Sequence, residues 1–227
     1  MRAWAYRDPD AIAKFALELY ENGSSYIGDY KVKVCKELLN STWMQKNYNA
    51  PITAAVWMIC GALANTVYDI FEGSPGDDSS TRTSRLAEWL KKTNQYSDDP
   101  KAHTRHVWGW LLGKPCINHA LTLKPDSHTD VILSINTKIL LKITSTPSIN
   151  LPPSYKGGVH WVMLNKPIFV VNDKVHMDIW TWSKNIKLVI SEEQFNKHYY
   201  GSIIAYSDQP KRNIPQGSIQ YDFFDIH

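Results

Sequence analysis

Gln45-Lys46-Asn47-Tyr48-Asn49-Ala50-Pro51-Ile52-Thr53-Ala54-Ala55 leads directly into the clearest periodic pattern of the chain. Beyond it, Ile52, Ala55, Val56, Ile59, Cys60, Leu63, Val67 and Phe71 recur at helical spacing. Pro51 suits the first turn of such a helix, where a missing N–H leaves no partner unmet. The pattern predicts a long helix over 51–71, with Ala50 at its N-terminus. A helix N-terminus carries unpaired N–H groups and the positive end of the dipole, so it favours an anionic group placed there.

Working outward from this helix, 8–21 reads as an earlier one, with Asp8 as cap, Pro9 in the first turn and Gly23 past the end. Residues 26–34 read as a short strand. Residues 73–80 (GSPGDDSS) form a loop by composition. Helical patterns follow at 84–92 and 104–112. After Pro115 the character changes. Strands are predicted at 131–135, 139–143, 161–164, 168–171, 174–180 and 202–206, with a Pro- and Ser-rich connection at 144–156. A short helix at 191–199 opens on Ser191, with Gln194 three residues on as the second half of a capping box. Helices lead and strands follow, which predicts an α+β protein with a helical half facing an antiparallel half. One domain is expected over 1–227, with a core at 41–207, an N-terminal extension at 1–40 and a polar tail at 208–227.

Composition narrows the function classes. The 227 residues are 43% hydrophobic and 21% charged, an ordinary globular balance. Such a chain buries roughly 70% of its unfolded surface without needing staples. The net charge of +3 is small and the basic residues are scattered, which argues against nucleic acid as a partner. Cys35, Cys60 and Cys116 are odd in number and widely spaced, so neither a disulfide framework nor a zinc site is expected. No apolar stretch approaches a membrane span, and MRAWAYRDPD carries no signal-peptide pattern. A soluble protein folded in a reducing compartment is expected.

The remaining candidates lie in the second half. Gly157-Gly158-Val159-His160-Trp161-Val162-Met163-Leu164 places a histidine at the opening of a strand behind a glycine pair. Val175-His176-Met177-Asp178-Ile179-Trp180 follows on a later strand, with Asp178 as the carboxylate to orient an imidazole and Asp173 or Asn172 as its rivals. A hairpin turning at Asn172-Asp173 sets Asp178 near Pro167, so reaching His160 requires a break around 165–167. Cys60 sits in mid-helix on the apolar face and Cys116 in a strand-like run, both expected to be packing residues. Cys35, beside Lys33 and Lys36, has a mildly thiolate-favouring setting. His103 and His106 are three apart, as helical metal ligands would be. They lack a carboxylate cluster and are expected at the surface.

Taken together, the Gln45–Ala50 run, His160 with its aromatic neighbour, Asp178 and the closing helix and strand resemble the bacterial papain-like cysteine peptidases grouped with the bacteriocin-leader peptidases. The resemblance covers 45–205 and implies a papain-like fold with a long central helix on an antiparallel sheet. It implies peptide-bond hydrolysis by a cysteine at position 50, with His160 and Asp178 completing a triad and Gln45 donating to the oxyanion, a role Asn47 or Asn49 could share. Gly157, Gly158, Trp161 and Trp180 would line the substrate cleft. No metal or organic cofactor is implied.

Alanine stands where that family has its nucleophile. Either an engineered inactive form or a natural pseudoenzyme accounts for it, and the intact remainder of the apparatus favours the first. The family includes interbacterial toxin domains blocked by a cognate immunity protein and delivered by secretion systems that need no signal peptide. With no membrane segment in the sequence, that type is expected here, acting on a protein or peptide substrate. A papain-fold binding module, a cell-wall peptide amidase and a transglutaminase-like acyl transferase are the alternatives.

Overall fold

The computed structural model describes residues 2–34, 58–59, 62–63, 83–105, 116–136, 139–140, 159–181 and 184–212. Their elements are α1 (Arg2–Arg7), α2 (Pro9–Asn22), β1 (Ser24–Ile27), β2 (Tyr30–Lys33), α3 (Thr83–Lys92), β3 (Lys101–Thr104), α4 (Cys116–Ala120), β4 (Thr129–Asn136), β5 (Val159–Leu164), β6 (Phe169–Val171), β7 (Lys174–Thr181), β8 (Lys184–Ser191), α5 (Glu192–His198) and β9 (Tyr199–Tyr206). The class is α+β, with every strand among the described residues pairing antiparallel. The chain divides into two compact units.

The first unit holds, among the described residues, 2–34, 58–59, 62–63, 89–97 and 209–212. Its α2 is capped as the sequence predicts. Asp8 accepts from the Ala11 N–H, and Gly23 closes the helix in the left-handed region at φ 67°. The expected single strand over 26–34 is instead most of a hairpin, the end of β1 turning through Gly28-Asp29 into β2. Phe15, Leu19, Ile27 and Val32 bury together with Met58, Ile59, Ala62 and Leu63. These last four are helical and lie on one face at i, i+1, i+4 and i+5; Ile59 and Leu63 belong to the repeat expected over 51–71, and Met58 and Ala62 do not. The rest of that stretch lies outside the described residues. Residues 2–34 thus supply much of this core.

The second unit is built on a seven-stranded sheet. β3, β9, β4 and β5 neighbour one another in that order, and β7 follows. β8 pairs β7 along its whole length, so β5 and β6 share the other edge of β7. They do so out of step. Leu164 faces Ile179, whereas Phe169 faces His176, a slip of two residues taken up by Asn165–Ile168. The break expected around Pro167 is therefore present, since proline cannot donate to a ladder. Asn172 and Asp173 turn the β6–β7 hairpin with φ of 50° and 58°, the left-handed pair a tight two-residue turn requires.

Side chains alternate across this sheet. Val131, Leu133, Ile135, Val162, Leu164, Val175, Met177, Ile179, Leu188 and Ile190 point into one apolar layer, covered by Cys116, Ile117 and Ala120 of α4 and Phe195 of α5. Ile139 and Leu140, expected in a strand, are helical and join that layer. Periodicity could not separate the two for so short an apolar run. Cys116, expected in a strand-like run, opens α4 and is buried as expected. α5 carries the predicted capping box, with Ser191 and Gln194 bonding reciprocally. β8 was not foreseen, because Lys184, Asn185 and Lys187 dilute its pattern.

Candidate functional site

Ala50, Gln45, Gly157 and Gly158 lie outside the described residues, as do Asn47, Asn49, Cys35, Cys60 and His106. His160, Trp161, Asp178 and Trp180 are described, and the sheet separates them. His160 shares its parity on β5 with buried Val162 and Leu164, so its ring belongs to the covered face. On β7 the buried positions are 175, 177, 179 and 181, which leaves Asp178 and Trp180 on the opposite face. Trp161 lies with Met163, which faces Trp180 across the ladder, so it too lies away from the imidazole.

Asp178 does not orient His160. Its Oδ1 accepts from Asn165 Nδ2 at 2.9 Å, its Oδ2 lies 3.8 Å from Lys166 Nζ, and its carbonyl accepts the Asn165 N–H. The carboxylate pins the two-residue slip between β5 and β6. The rivals fare no better, since Asn172 and Asp173 are spent on the hairpin turn. The strand break that was to bring Asp178 to the histidine exists, yet an even-numbered slip cannot move a side chain from one face to the other.

The partner of His160 is one the sequence reading missed. Thr181, 1% exposed at the end of β7, places its Oγ1 2.6 Å from His160 Nε2. Met163 faces Trp180 and Leu164 faces Ile179, so the next step opposes Val162 to Thr181. His160 is then Thr181's diagonal neighbour on the same face, close enough for a long side chain to reach. A signal was present. Thr181 occupies the inward parity of Val175, Met177 and Ile179, where a hydroxyl needs a partner. Burial lowers the His160 pKa to about 4, so the ring is neutral near pH 7.

A second polar cluster is embedded in the same unit. His119 on α4 is buried, with Nε2 3.1 Å from Ser202 Oγ on β9. Its ring meets that of His103 on β3 at 4.6 Å between centroids. His103 is therefore a strand residue in contact with a buried ring, not a surface helix residue. Burial, then the neighbouring His103, lowers His119 to about 4; burial and Lys101 lower His103. Burial pushes the Cys116 thiol up against a smaller opposing pull from Arg105, so Cys116 is a poor nucleophile. With its ring sealed from solvent, His119 reads as a packing histidine satisfied by a serine.

Among the described residues no group of His, Cys, Asp and Glu is arranged to hold a metal ion, and no helix is long and apolar enough to cross a membrane. No family model, curated protein or solved structure matches this chain.

Proposed function

We propose that the chain is a papain-like cysteine peptidase domain whose nucleophile position, 50, holds alanine. The observation that carries this reading is His160. It is an imidazole on an antiparallel strand, partly open to solvent, with one ring nitrogen held by a buried side chain. That is how the ring of a general base is oriented. The α+β order of the chain and the buried helical residues Met58, Ile59, Ala62 and Leu63, downstream of Ala50, agree with a helix presenting position 50.

In the cysteine form, the thiol of residue 50 gives its proton to His160 and its sulfur attacks a peptide carbonyl. The tetrahedral oxyanion is held by the residue 50 N–H and Gln45. Collapse breaks the C–N bond, and the imidazolium returns the proton to the leaving amine. Water then repeats the exchange to free the acyl group. The substrate is a protein or peptide. The setting proposed is that of an interbacterial effector restrained by an immunity protein.

One observation favours a second reading. Ala50 itself is what a papain-fold binding module without catalysis would carry. Expression of Ala50→Cys separates the two. The peptidase reading expects truncated host proteins or loss of host growth, abolished by a second change, His160→Ala. Tolerance of Ala50→Cys with no cleavage of host proteins favours the binding module.

A further inference from the structure

We propose that Thr181 is the positioning residue of His160, accepting the Nε2 proton and thereby leaving Nδ1 as the basic nitrogen; this rests on His160 being the general base. The Oγ1–Nε2 distance of 2.6 Å is at the short end for a hydrogen bond, and Thr181 is 1% exposed, so its hydroxyl has little access to water. Threonine is branched at Cβ, which restricts its χ1 and fixes where the hydroxyl sits. Strand pairing of β5 with β7 fixes the two backbones, so the ring is held from a rigid element.

The carboxylate that could compete for the role faces the other side of the sheet and is committed to Asn165 and Lys166. A hydroxyl orients the ring without placing negative charge beside it. In the Ala50 chain the imidazole therefore has no anionic partner on β7 to hold a proton on it.

The test uses ¹⁵N-histidine NMR on the chain as it stands, at pH 7, where the two ring-nitrogen shifts report the tautomer. A single Nε2–H tautomer is expected for His160. Thr181→Val should convert it to a mixture, Thr181→Ser should restore it, and Asp178→Asn should leave it unchanged. A dominant Nδ1–H tautomer would overturn the assignment, as would a tautomer that ignores Thr181→Val or responds to Asp178→Asn.

The underlying reading is tested separately in Ala50→Cys, by iodoacetamide alkylation at pH 7. Adding Thr181→Val should slow that thiol by about tenfold or more, comparable to losing an outer partner of a ligating histidine, and Thr181→Ser should recover the rate. If the tautomer follows Thr181 but the Ala50→Cys thiol is slow whichever residue stands at 181, the peptidase reading fails and the hydrogen-bond assignment survives. If the thiol is fast and Thr181→Val changes neither rate nor tautomer, the positioning role fails and the peptidase reading survives.

Discussion

His160 and Asp178 stand on opposite faces of one antiparallel sheet, although both belong to strands that pair directly. The carboxylate therefore acts on the β5–β6 connection. Asp178→Asn keeps an acceptor for Asn165 and loses only the partly exposed pairing with Lys166, whose side chain is 74% exposed. The expected cost is under about 1 kcal/mol in urea-induced unfolding, as for other exposed ion pairs. A loss of several kcal/mol would mean that the carboxylate carries a load the geometry does not show.

Two histidines make stability depend on acid. His119 and His160 both have pKa values lowered to about 4 in the folded chain, against 6.5 when exposed, with burial the leading cause for each. The unfolded chain thus binds these protons more readily, so their contribution is complete above about pH 6.5 and is lost as pH falls towards 4. Each histidine accounts for up to about 3 kcal/mol. Urea midpoints between pH 7 and 4 should fall steeply, and His119→Gln should flatten the slope. A midpoint constant across that range would contradict the buried neutral state.

Gly201 on β9 is expected to be intolerant. A Cβ built there would lie 2.5 Å from the His103 carbonyl oxygen on β3, which is backbone and cannot swing away. Gly201→Ala should destabilise by roughly 1–3 kcal/mol, as overpacking does. Gly23 is the control for a different effect. Nothing lies within 4 Å of its would-be Cβ, and only its φ of 67° resists substitution. Gly23→Ala should cost about 1 kcal/mol from the left-handed backbone alone. Thermal unfolding of the two variants checks the order.

Ser191 is expected to matter through one hydrogen bond. Its hydroxyl accepts from the Gln194 N–H at 3.2 Å, and the Gln194 side chain returns the bond to the Ser191 N–H. Ser191→Ala should cost about 1 kcal/mol. Ser191→Asp should recover most of it, because a carboxylate also caps and complements the helix dipole. Equal losses in both would show that the cap is not what holds α5.

Local chemistry was the legible part of this sequence. Asp8 and Gly23 bound α2, Ser191 and Gln194 start α5, and Asn172-Asp173 turn a hairpin, each through bonds within a few residues. The alternation of 174–180 was equally readable. Less legible were features set by distant parts of the chain. Thr181 gained its meaning from a register that pairs it beside His160, 21 residues away. Asp178 looked like a triad member because spacing along the chain counts residues and not faces. His103 and His119 meet only because β3 and α4 both pack against β9 near Ser202.

If His160 serves position 50, iodoacetamide alkylation of Ala50→Cys, followed from pH 5 to 9 with buried Cys116 as the slow internal reference, should show a fast phase whose midpoint lies below the ordinary thiol value of about 8.5, present in Ala50→Cys alone and abolished by His160→Ala. An introduced thiol that alkylates no faster than Cys116, or whose fast phase survives His160→Ala, would contradict it.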